Sequence, residues 1–346
     1  MSIVMNDLKY IIKLISEGKH LSESQAEFAF SLIMAGRVDL SQMAAFVMGL
    51  RINGETVDEI TGGAKVLRQK ADSIPAPAHA IDTCGTGGDN LGTYNISTAA
   101  AIVAAACGVT VAKHGNRSIS SKSGSADVLM ALGLNLEITQ ETHKKSLETM
   151  GISFMFAPSH HKAMRHVAPV RSSLGIRSIF NVLGPLANPA KTKRQVLGVY
   201  DKKWLRPLAE VLQRLGSEHV WVVHGADGLD ELTTTNKSYV ASLKDGVITE
   251  FTVTPEDAGL SYAKIEDIQG GDAAYNAKAL QAVLNGERNP YRDIVLLNTA
   301  AALIVGEKAE TLKDGVAIAQ EAIDTGKAAK LLEQWVLLTQ KDIVSS

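Results

Sequence analysis

Cysteine, an excess of charge of either sign and long uninterrupted apolar runs are what this sequence has least of. Its 346 residues include two cysteines, Cys84 and Cys107, too few for a disulfide framework and without the paired spacing of a zinc site. Both sit among apolar neighbours and read as reduced packing residues. Thirty-five lysines and arginines against 37 aspartates and glutamates leave a formal charge of −2. That balance gives no global electrostatic case for nucleic acid, although a local basic patch is still allowed. The longest apolar stretch, residues 96–112, is mostly alanine, carries Ser97 and Thr98 and contains Gly108. It reads as a buried helix followed by a strand, not as a membrane span. The N-terminus has no basic segment followed by an apolar core, so no secretory leader is expected. A cytosolic, reducing compartment is expected.

What is present is ordinary globular composition: 45% apolar and 21% charged residues, too apolar for a disordered chain. The length suggests about two domains, with room for a core that needs no covalent staples. The first seventy residues read as helices. Leu8, Ile11, Ile12 and Ile15 recur at helical spacing before Gly18. Ser22 with Gln25 and Thr56 with Glu59 form capping-box pairs, and Ser41 is a candidate cap for the helix between them, which should end near Asn53 and Gly54. Four short helices suggest a small bundle. Residues 73–77, Ser-Ile-Pro-Ala-Pro, read as a linker.

Beyond the linker the period changes. Strands are predicted at 80–84, 109–112, 152–156, 195–199 and 219–223, alternating with helices near 97–107, 126–132 and up to Met150. Residues 238–243 and 247–253 read as a hairpin around Asp245-Gly246. The stretch 273–344 reads as largely helical. The alternation implies right-handed crossovers and a mostly parallel sheet: an α/β fold, with a small helical domain ahead of it. There is no internal repeat, low-complexity tract or coiled-coil heptad.

In an open α/β sheet, ligands bind beyond the carboxyl ends of the strands, and four segments fall there. Gly85-Thr86-Gly87-Gly88-Asp89 lets backbone approach an anion and form an N–H nest; it is neither a Walker loop nor a dinucleotide fingerprint, and on its own it also reads as a tight turn. Asn95-Ile96-Ser97-Thr98 opens a helix with hydroxyls beside free N–H groups, a phosphate site or a plain N-cap. Residues 113–125, Lys-His-Gly-Asn-Arg-Ser-Ile-Ser-Ser-Lys-Ser-Gly-Ser, crowd cations, hydroxyls and glycines in a way a bland loop does not require. His224 to Leu232 carries Asp230 and Glu231, a pair suited to Mg²⁺, which takes one or two carboxylates plus phosphate oxygens. His160, His161 and His166 lack the i,i+4 spacing of helical zinc sites. The planar fork of Arg171 suits a substrate carboxylate, a structural salt bridge being its other reading. Residues 180–189 read as a constrained turn. Together these features describe a ligand with several phosphates, a divalent metal and a small anionic second substrate.

The five segments at 85–89, 95–98, 113–125, 180–189 and 224–232 follow one another in the order and spacing of the anthranilate phosphoribosyltransferase family, which this sequence resembles over essentially its whole length. The resemblance implies the type III phosphoribosyltransferase fold, related to pyrimidine nucleoside phosphorylases. Its small α-helical domain would comprise 1–72 together with about 166–190, and its large α/β domain 78–165 together with about 191–346. It implies transfer of the phosphoribosyl group of phosphoribosyl diphosphate (PRPP) to the amine of anthranilate, giving N-(5-phosphoribosyl)anthranilate and diphosphate in tryptophan biosynthesis. Mg²⁺ is the implied cofactor, and a cytoplasmic homodimer through the helical domain the implied state, with no nucleic-acid or membrane partner.

The resemblance further implies PRPP contacts at Gly85, Gly88, Asp89, Thr93, Asn95, Ile96, Ser97, Thr98, Lys113, His114, Gly115, Asn116, Arg117, Ser118, Ile119, Ser120, Ser121 and Ser125. Magnesium would go to Ser97, Asp230 and Glu231, and anthranilate to Gly85, Asn116 and Arg171. Lys113, Asp230 and Glu231 would act electrostatically, with no dedicated general base. Tyr94, Met130 and Ser178 stand where the family more usually has Phe, Glu and Thr, and none removes a proposed ligand group. Two alternatives differ in motif. A pyrimidine nucleoside phosphorylase carries a KHS-type turn at the first loop, and a nucleic-acid-binding relative would be basic and lack the Asp-Glu pair.

Overall fold

The structure, a computed structural model, describes residues 7–89, 91–118 and 122–344. Four helices come first: α1 (Leu8–Ser16), α2 (Glu23–Met34), α3 (Leu40–Asn53) and α4 (Val57–Lys70). Both expected capping boxes are made, Ser22 with Gln25 and Thr56 with Glu59. The cap expected at Ser41 is not: α3 starts earlier, after extended backbone at Asp39, so Ser41 lies inside its first turn. Glu59 does more than close its box. Its buried carboxylate accepts from Thr56 N at 2.8 Å and from Leu21 N at 2.9 Å, tying the start of α4 to the approach of α2.

The α/β part follows as β1 (Ile81–Gly85), α5 (Ile96–Ala106), β2 (Val111–Gly115), α6 (Ser125–Ala131), α7 (Gln140–Thr149) and β3 (Ile152–Phe156). Then come α8 (Ala157–His160), α9 (Ala168–Leu174), α10 (Ile179–Leu183), β4 (Arg194–Gly198), α11 (Leu205–Arg214) and β5 (His219–Gly225). The hairpin β6 (Ser238–Lys244) and β7 (Val247–Val253) precedes α12 (Ala273–Leu284), α13 (Pro290–Val305), α14 (Leu312–Asp324) and α15 (Lys327–Val344). Asp245 and Gly246 turn the hairpin with positive φ of 52° and 76°, as a two-residue primed turn requires.

The seven strands form one sheet in the order β3-β2-β1-β4-β5-β6-β7. The first five are parallel and the last two antiparallel. The chain winds outward from β1 to β3, then restarts on the other side of β1 with β4. The carboxyl ends of β1 and β4 are therefore a topological switch point, the usual place for a ligand crevice. One face of the sheet packs on alanine-rich α5 and on α13 and α15 through Ile81, Val111, Val196 and Val223. The other face, through Leu197, Val220 and Val222, shares a core with α11 and the four-helix bundle.

Three expectations shift. Strand β2 starts at Val111 and runs on through Lys113, His114 and Gly115, which the sequence placed in a loop. After Gly108 (φ 85°) the chain is still turning, and the ladder with β3 holds through Gly115 opposite Phe156. Strand β5 likewise continues to Gly225. Residues 180–189 are not simply a turn, since α10 and a 3₁₀ turn opened by Pro185 occupy most of them. Phe180 packs edge-on against Phe30 of α2, 5.8 Å between ring centroids, which returns this late segment to the first bundle.

Four buried histidines lie under this return. The His143 and His160 rings are 5.4 Å apart, and those of His114 and His161 5.1 Å. His143 Nδ1 is 2.8 Å from Ser153 Oγ, and His160 Nδ1 is 3.0 Å from the Asp72 carbonyl. Burial, then repulsion from His160, pushes His143 and His161 down to about 4. A histidine whose folded pKa lies below its unfolded value of about 6.5 stabilises the fold above that value and loses the contribution as pH falls toward its folded pKa. The histidine contribution to the melting temperature is therefore expected to drop between pH 7 and pH 5. In His143→Gln the drop should be shallower; an equal slope in both proteins would show that this histidine does not titrate on unfolding.

Candidate active site

The site is built where β1 and β4 part. Gly85 and Gly198 are register partners at the ends of these strands, and the loop after β5 passes directly over both. A Cβ on Gly198 would overlap the Asp230 carbonyl, and one on Gly85 would overlap the Asp230 carboxylate. Two glycines are thus required for the loop to come this close. Asn298 of α13 holds the loop from behind, donating to the Leu232 carbonyl at 2.8 Å and accepting from Leu232 N at 3.0 Å. Asp227 braces its start by accepting from Leu229 N at 3.1 Å and from the Thr233 hydroxyl at 2.6 Å.

In that position the acidic pair reaches backwards to both N-terminal anion-binding segments. Asp230 Oδ2 accepts from Gly87 N at 2.7 Å, and Glu231 Oε1 accepts from Ser97 N, in the first turn of α5, at 3.0 Å. The N–H groups read from sequence as phosphate donors are therefore the groups that hold the two carboxylates. Lys113 enters from β2, its side chain buried. Its ammonium donates to the Thr83 carbonyl and lies 3.5 Å from Ser97 Oγ. Gly85, Gly87, Ser97, Lys113, Asp230 and Glu231 thus come together. Thr98 is buried beside them, its hydroxyl without a hydrogen-bond partner among the described residues.

The remaining predicted residues form the surroundings. Asn95 accepts from Asn276 at 2.9 Å and donates to the Ser123 carbonyl at 3.3 Å. Ile96 is fully buried, and its N–H donates to the Tyr94 carbonyl at 2.9 Å. Thr93 is bridged to Gln269. Gly88 has a left-handed φ of 81°, and Asp89 acts on the acidic pair by its charge. In the second loop, Ser118 N donates to Asp127 and Ser125 Oγ to the Asn116 carbonyl; the Gly115 backbone lies against Ser125, and Arg117 stands over the Phe156 ring. Ile119, Ser120 and Ser121 lie outside the described residues. His114 alternates with Lys113 along β2, so its ring is on the opposite face, edge-on to His161. Arg171 sits on α9 with its guanidinium 5.9 Å from the Phe180 centroid.

The cluster carries more negative charge than its neighbours balance. Burial, then the charge of Asp89, pushes Asp230 up to about 7, and burial with Asp230 and Asp89 holds Glu231 well above the usual carboxylate range. Lys113 is the cation nearest to hand, and burial pushes its pKa down. Beside the carboxylates is a cavity of about 10 Å³ lined by Thr83, Cys84, Ser97, Asp230, Glu231 and Asn298 among others, room for about one water or ion. Two under-neutralised carboxylates at such a space fit Mg²⁺, which takes the rest of its oxygens from phosphate and water.

Sequence reasoning missed the frame behind these groups. Asp82, fully buried, accepts from His114 N at 3.0 Å and from Asn188 Nδ2 at 2.7 Å, and Asn188 also donates to the Ala112 carbonyl at 2.8 Å. Asp82, Asn188 and Asn298 hold the strand ends and the loop in place. An acid in the middle of a predicted strand is the one sequence signal that could have found Asp82.

Comparison with known proteins adds an independent line. The model for "Glycosyl transferase family, a/b domain" matches residues 77–329, and that for "Glycosyl transferase family, helical bundle domain" matches residues 9–71. The anthranilate phosphoribosyltransferase of Parvibaculum lavamentivorans is 58% identical over 335 residues, 97% of this chain and 98% of the relative. That of Azospirillum brasilense is 55% identical over 341 residues, 99% of this chain and 96% of the relative. Among solved structures, the Thermus thermophilus enzyme of that name superposes with a TM-score of 0.90 at 42% identity, covering 95% of this chain and 99% of that one. The Saccharomyces cerevisiae one, in complex with PRPP and Mg, gives 0.89 at 28%, covering 96% and 98%.

The crowding at the switch point predicts a contrast between two glycines. Gly198→Ala forces backbone against backbone and is expected to cost about 3 kcal/mol or more. Gly184→Ala, whose Cβ would meet nothing within 4 Å, should stay within about 0.5 kcal/mol of the parent. Denaturant unfolding of the two variants measures this; equal stabilities would remove the argument from close approach.

Proposed function

We infer the reaction from two premises: the chain belongs to the anthranilate phosphoribosyltransferase family, and its acidic pair is bonded to Gly87 N and Ser97 N across a switch point. The chain transfers the phosphoribosyl group of PRPP to the amine of anthranilate, with release of diphosphate. The observation that carries this reading is the second one. It gathers two carboxylates, a lysine, a glycine nest and a helix N-terminus around one small space, which is the equipment for a metal-bound diphosphate. The reaction places the chain in tryptophan biosynthesis.

Anthranilate's aromatic amine is neutral at pH 7, so no side chain has to deprotonate it before attack. The barrier is departure of diphosphate from the anomeric carbon, through an oxocarbenium-like centre attacked from the opposite face. What Mg²⁺ supplies when bound by Asp230, Glu231 and Ser97 is neutralisation of charge on the leaving diphosphate. Lys113, fixed by the Thr83 carbonyl and the Ser97 hydroxyl, adds a cation that needs no reorganisation as that charge grows. The backbone of 85–89 and of 95–98, Lys113 and Gly115 at the end of β2, the loop residues Asn116 to Ser118 and Ser125 line the phosphoribosyl and diphosphate groups, with Thr93 beside them; His114, its ring turned to His161, contributes through its backbone alone. Gly85, Asn116 and Arg171 take anthranilate, the Arg171 fork pairing with its carboxylate. Catalysis on this reading is positioning plus electrostatics.

The helical unit consists of 1–72 with about 166–190, and the α/β unit of 78–165 with about 191–346. The packing of Phe180 on Phe30 supports this division. The helical unit is the surface for a homodimer, which fits the exposed Leu40 and Ile52 on α3. A cytoplasmic location fits two free thiols, and no helix among the described residues is long and apolar enough to cross a membrane.

The direct test is loss of anthranilate fluorescence, with PRPP and Mg²⁺ each omitted in turn. Consumption should require all three, and consumption without PRPP would end this reading. Asp230→Ala or Glu231→Ala should lower kcat/KM for PRPP by roughly 10² or more, the size of losing one strong transition-state stabiliser. Arg171→Ala should raise the KM for anthranilate and leave that for PRPP nearly unchanged, with lysine failing to restore it fully. Equal weakening of both substrates would make Arg171 structural.

A further inference from the structure

Between α9 and α10 lies an arginine that no part of the proposed site uses. Gly175 closes α9 in the left-handed conformation, φ 60°, and Ser178 opens α10, leaving Arg177 on the short span between them. This span belongs to the segment that packs on the bundle, yet the guanidinium crosses to the α/β part. Its Nη2 donates to the carbonyl of Gly88, and its Cζ lies over the Tyr200 ring, 4.5 Å from the centroid. Tyr200 is held at both ends. Its N–H donates to Thr86 Oγ1 at 3.1 Å, and its hydroxyl accepts from Trp204 Nε1 at 3.0 Å.

We propose that Arg177 is a positioning residue that sets the Gly88–Asp89 peptide and couples the glycine loop to the segment bearing Arg171. Two amides of the loop have fixed partners: Thr86 N donates to the Gly198 carbonyl at 2.9 Å and Gly87 N to Asp230. Gly87 and Gly88 both take left-handed backbone, φ 64° and 81°, so the loop turns here through residues without a Cβ, and a Cβ on Gly88 would come within 3.5 Å of the Arg177 guanidinium. A trans peptide is planar, so anchoring its carbonyl on Arg177 also aims the following N–H, that of Asp89, in the opposite direction. A bond from a charged donor is stronger than one from a neutral group, and stacking on a ring that cannot rotate away keeps the guanidinium in place. Lysine has neither the plane nor the fork. The same contact joins the two halves of the proposed site, because six residues before Arg177 the chain carries Arg171. An anion that orders the glycine loop therefore also orders the α9–α10 segment.

The consequence for substrates rests on the proposed function; the contact itself does not, and the experiment separates them. Hydrogen exchange is compared between the parent protein, Arg177→Ala, Arg177→Lys and Tyr200→Leu, all without substrate. Amides of 85–89 should exchange several-fold faster in Arg177→Ala, and in the same direction in Tyr200→Leu, which removes the stack and keeps the charge. In turnover, Arg177→Ala should raise the KM for PRPP about tenfold, the size of one charged hydrogen bond, with kcat within about threefold and lysine in between. Fluorescence titration of anthranilate with and without Mg²⁺ and diphosphate should show tighter binding with them in the parent, a gain that shrinks toward none in Arg177→Ala. Unchanged exchange at 85–89 in Arg177→Ala overturns the proposal, as does an unchanged gain in anthranilate affinity. If the parent does not consume anthranilate with PRPP, the proposed function fails, and the exchange comparison alone decides the role of Arg177.

Discussion

The close passage of Asp230 over Gly85 and Gly198 is the contact on which the rest of the site depends. These glycines are register partners in adjacent parallel strands, at the point where the order of winding reverses. A side chain on Gly198 would lift the loop off the sheet, and the acidic pair would no longer reach Gly87 N and Ser97 N. Sheet topology creates the crevice, absence of side chains lets the loop into it, and Asn298 fastens the loop to α13. Only with all three do residues from β1, α5, β2 and the loop after β5 converge on one space.

That convergence has an electrostatic cost, and the cost is informative. Asp230 and Glu231 face Asp89 with one buried lysine nearby, so the ionised pair is disfavoured. A fold that only needed to close its loops would do better with neutral groups at these positions. The two N–H donors these carboxylates hold are also the donors that suit a phosphate. A ligand that brings its own divalent cation therefore relieves the repulsion while competing for the same backbone groups. Affinity for a metal-bound diphosphate, on this reading, comes in part from charge that the protein alone leaves unbalanced.

Much of the frame was legible because it is local. The capping boxes of α2 and α4 are pairs three residues apart, the hairpin turn is two adjacent residues, and the alternation of strands and helices shows in the hydrophobic period. The strand ends were harder. Lys113 and His114 look like loop residues because their partners lie far off in sequence: Lys113 meets the Thr83 carbonyl 30 positions away and His114 N meets Asp82 32 away. Asn188 with Asp82, Asn298 with Leu232 and Arg177 with Gly88 span 106, 66 and 89 positions. No pattern within a window of one helix or strand carries such pairs. Ser41 failed as a cap for a different reason, since Asp39, two residues upstream, already takes the extended backbone that a cap requires.

If the acidic pair is held short of full ionisation until a cation shares its space, its titration must move when the cation binds. The titration of the Asp230 carboxyl, followed by carbon-13 resonance with Asp230→Asn identifying the signal, tests it most directly. Without ligand the midpoint should lie near 7. With Mg²⁺ and diphosphate it should fall into the ordinary carboxylate range, near 4. A midpoint already near 4 in the protein alone would mean that the pair is fully ionised without a cation.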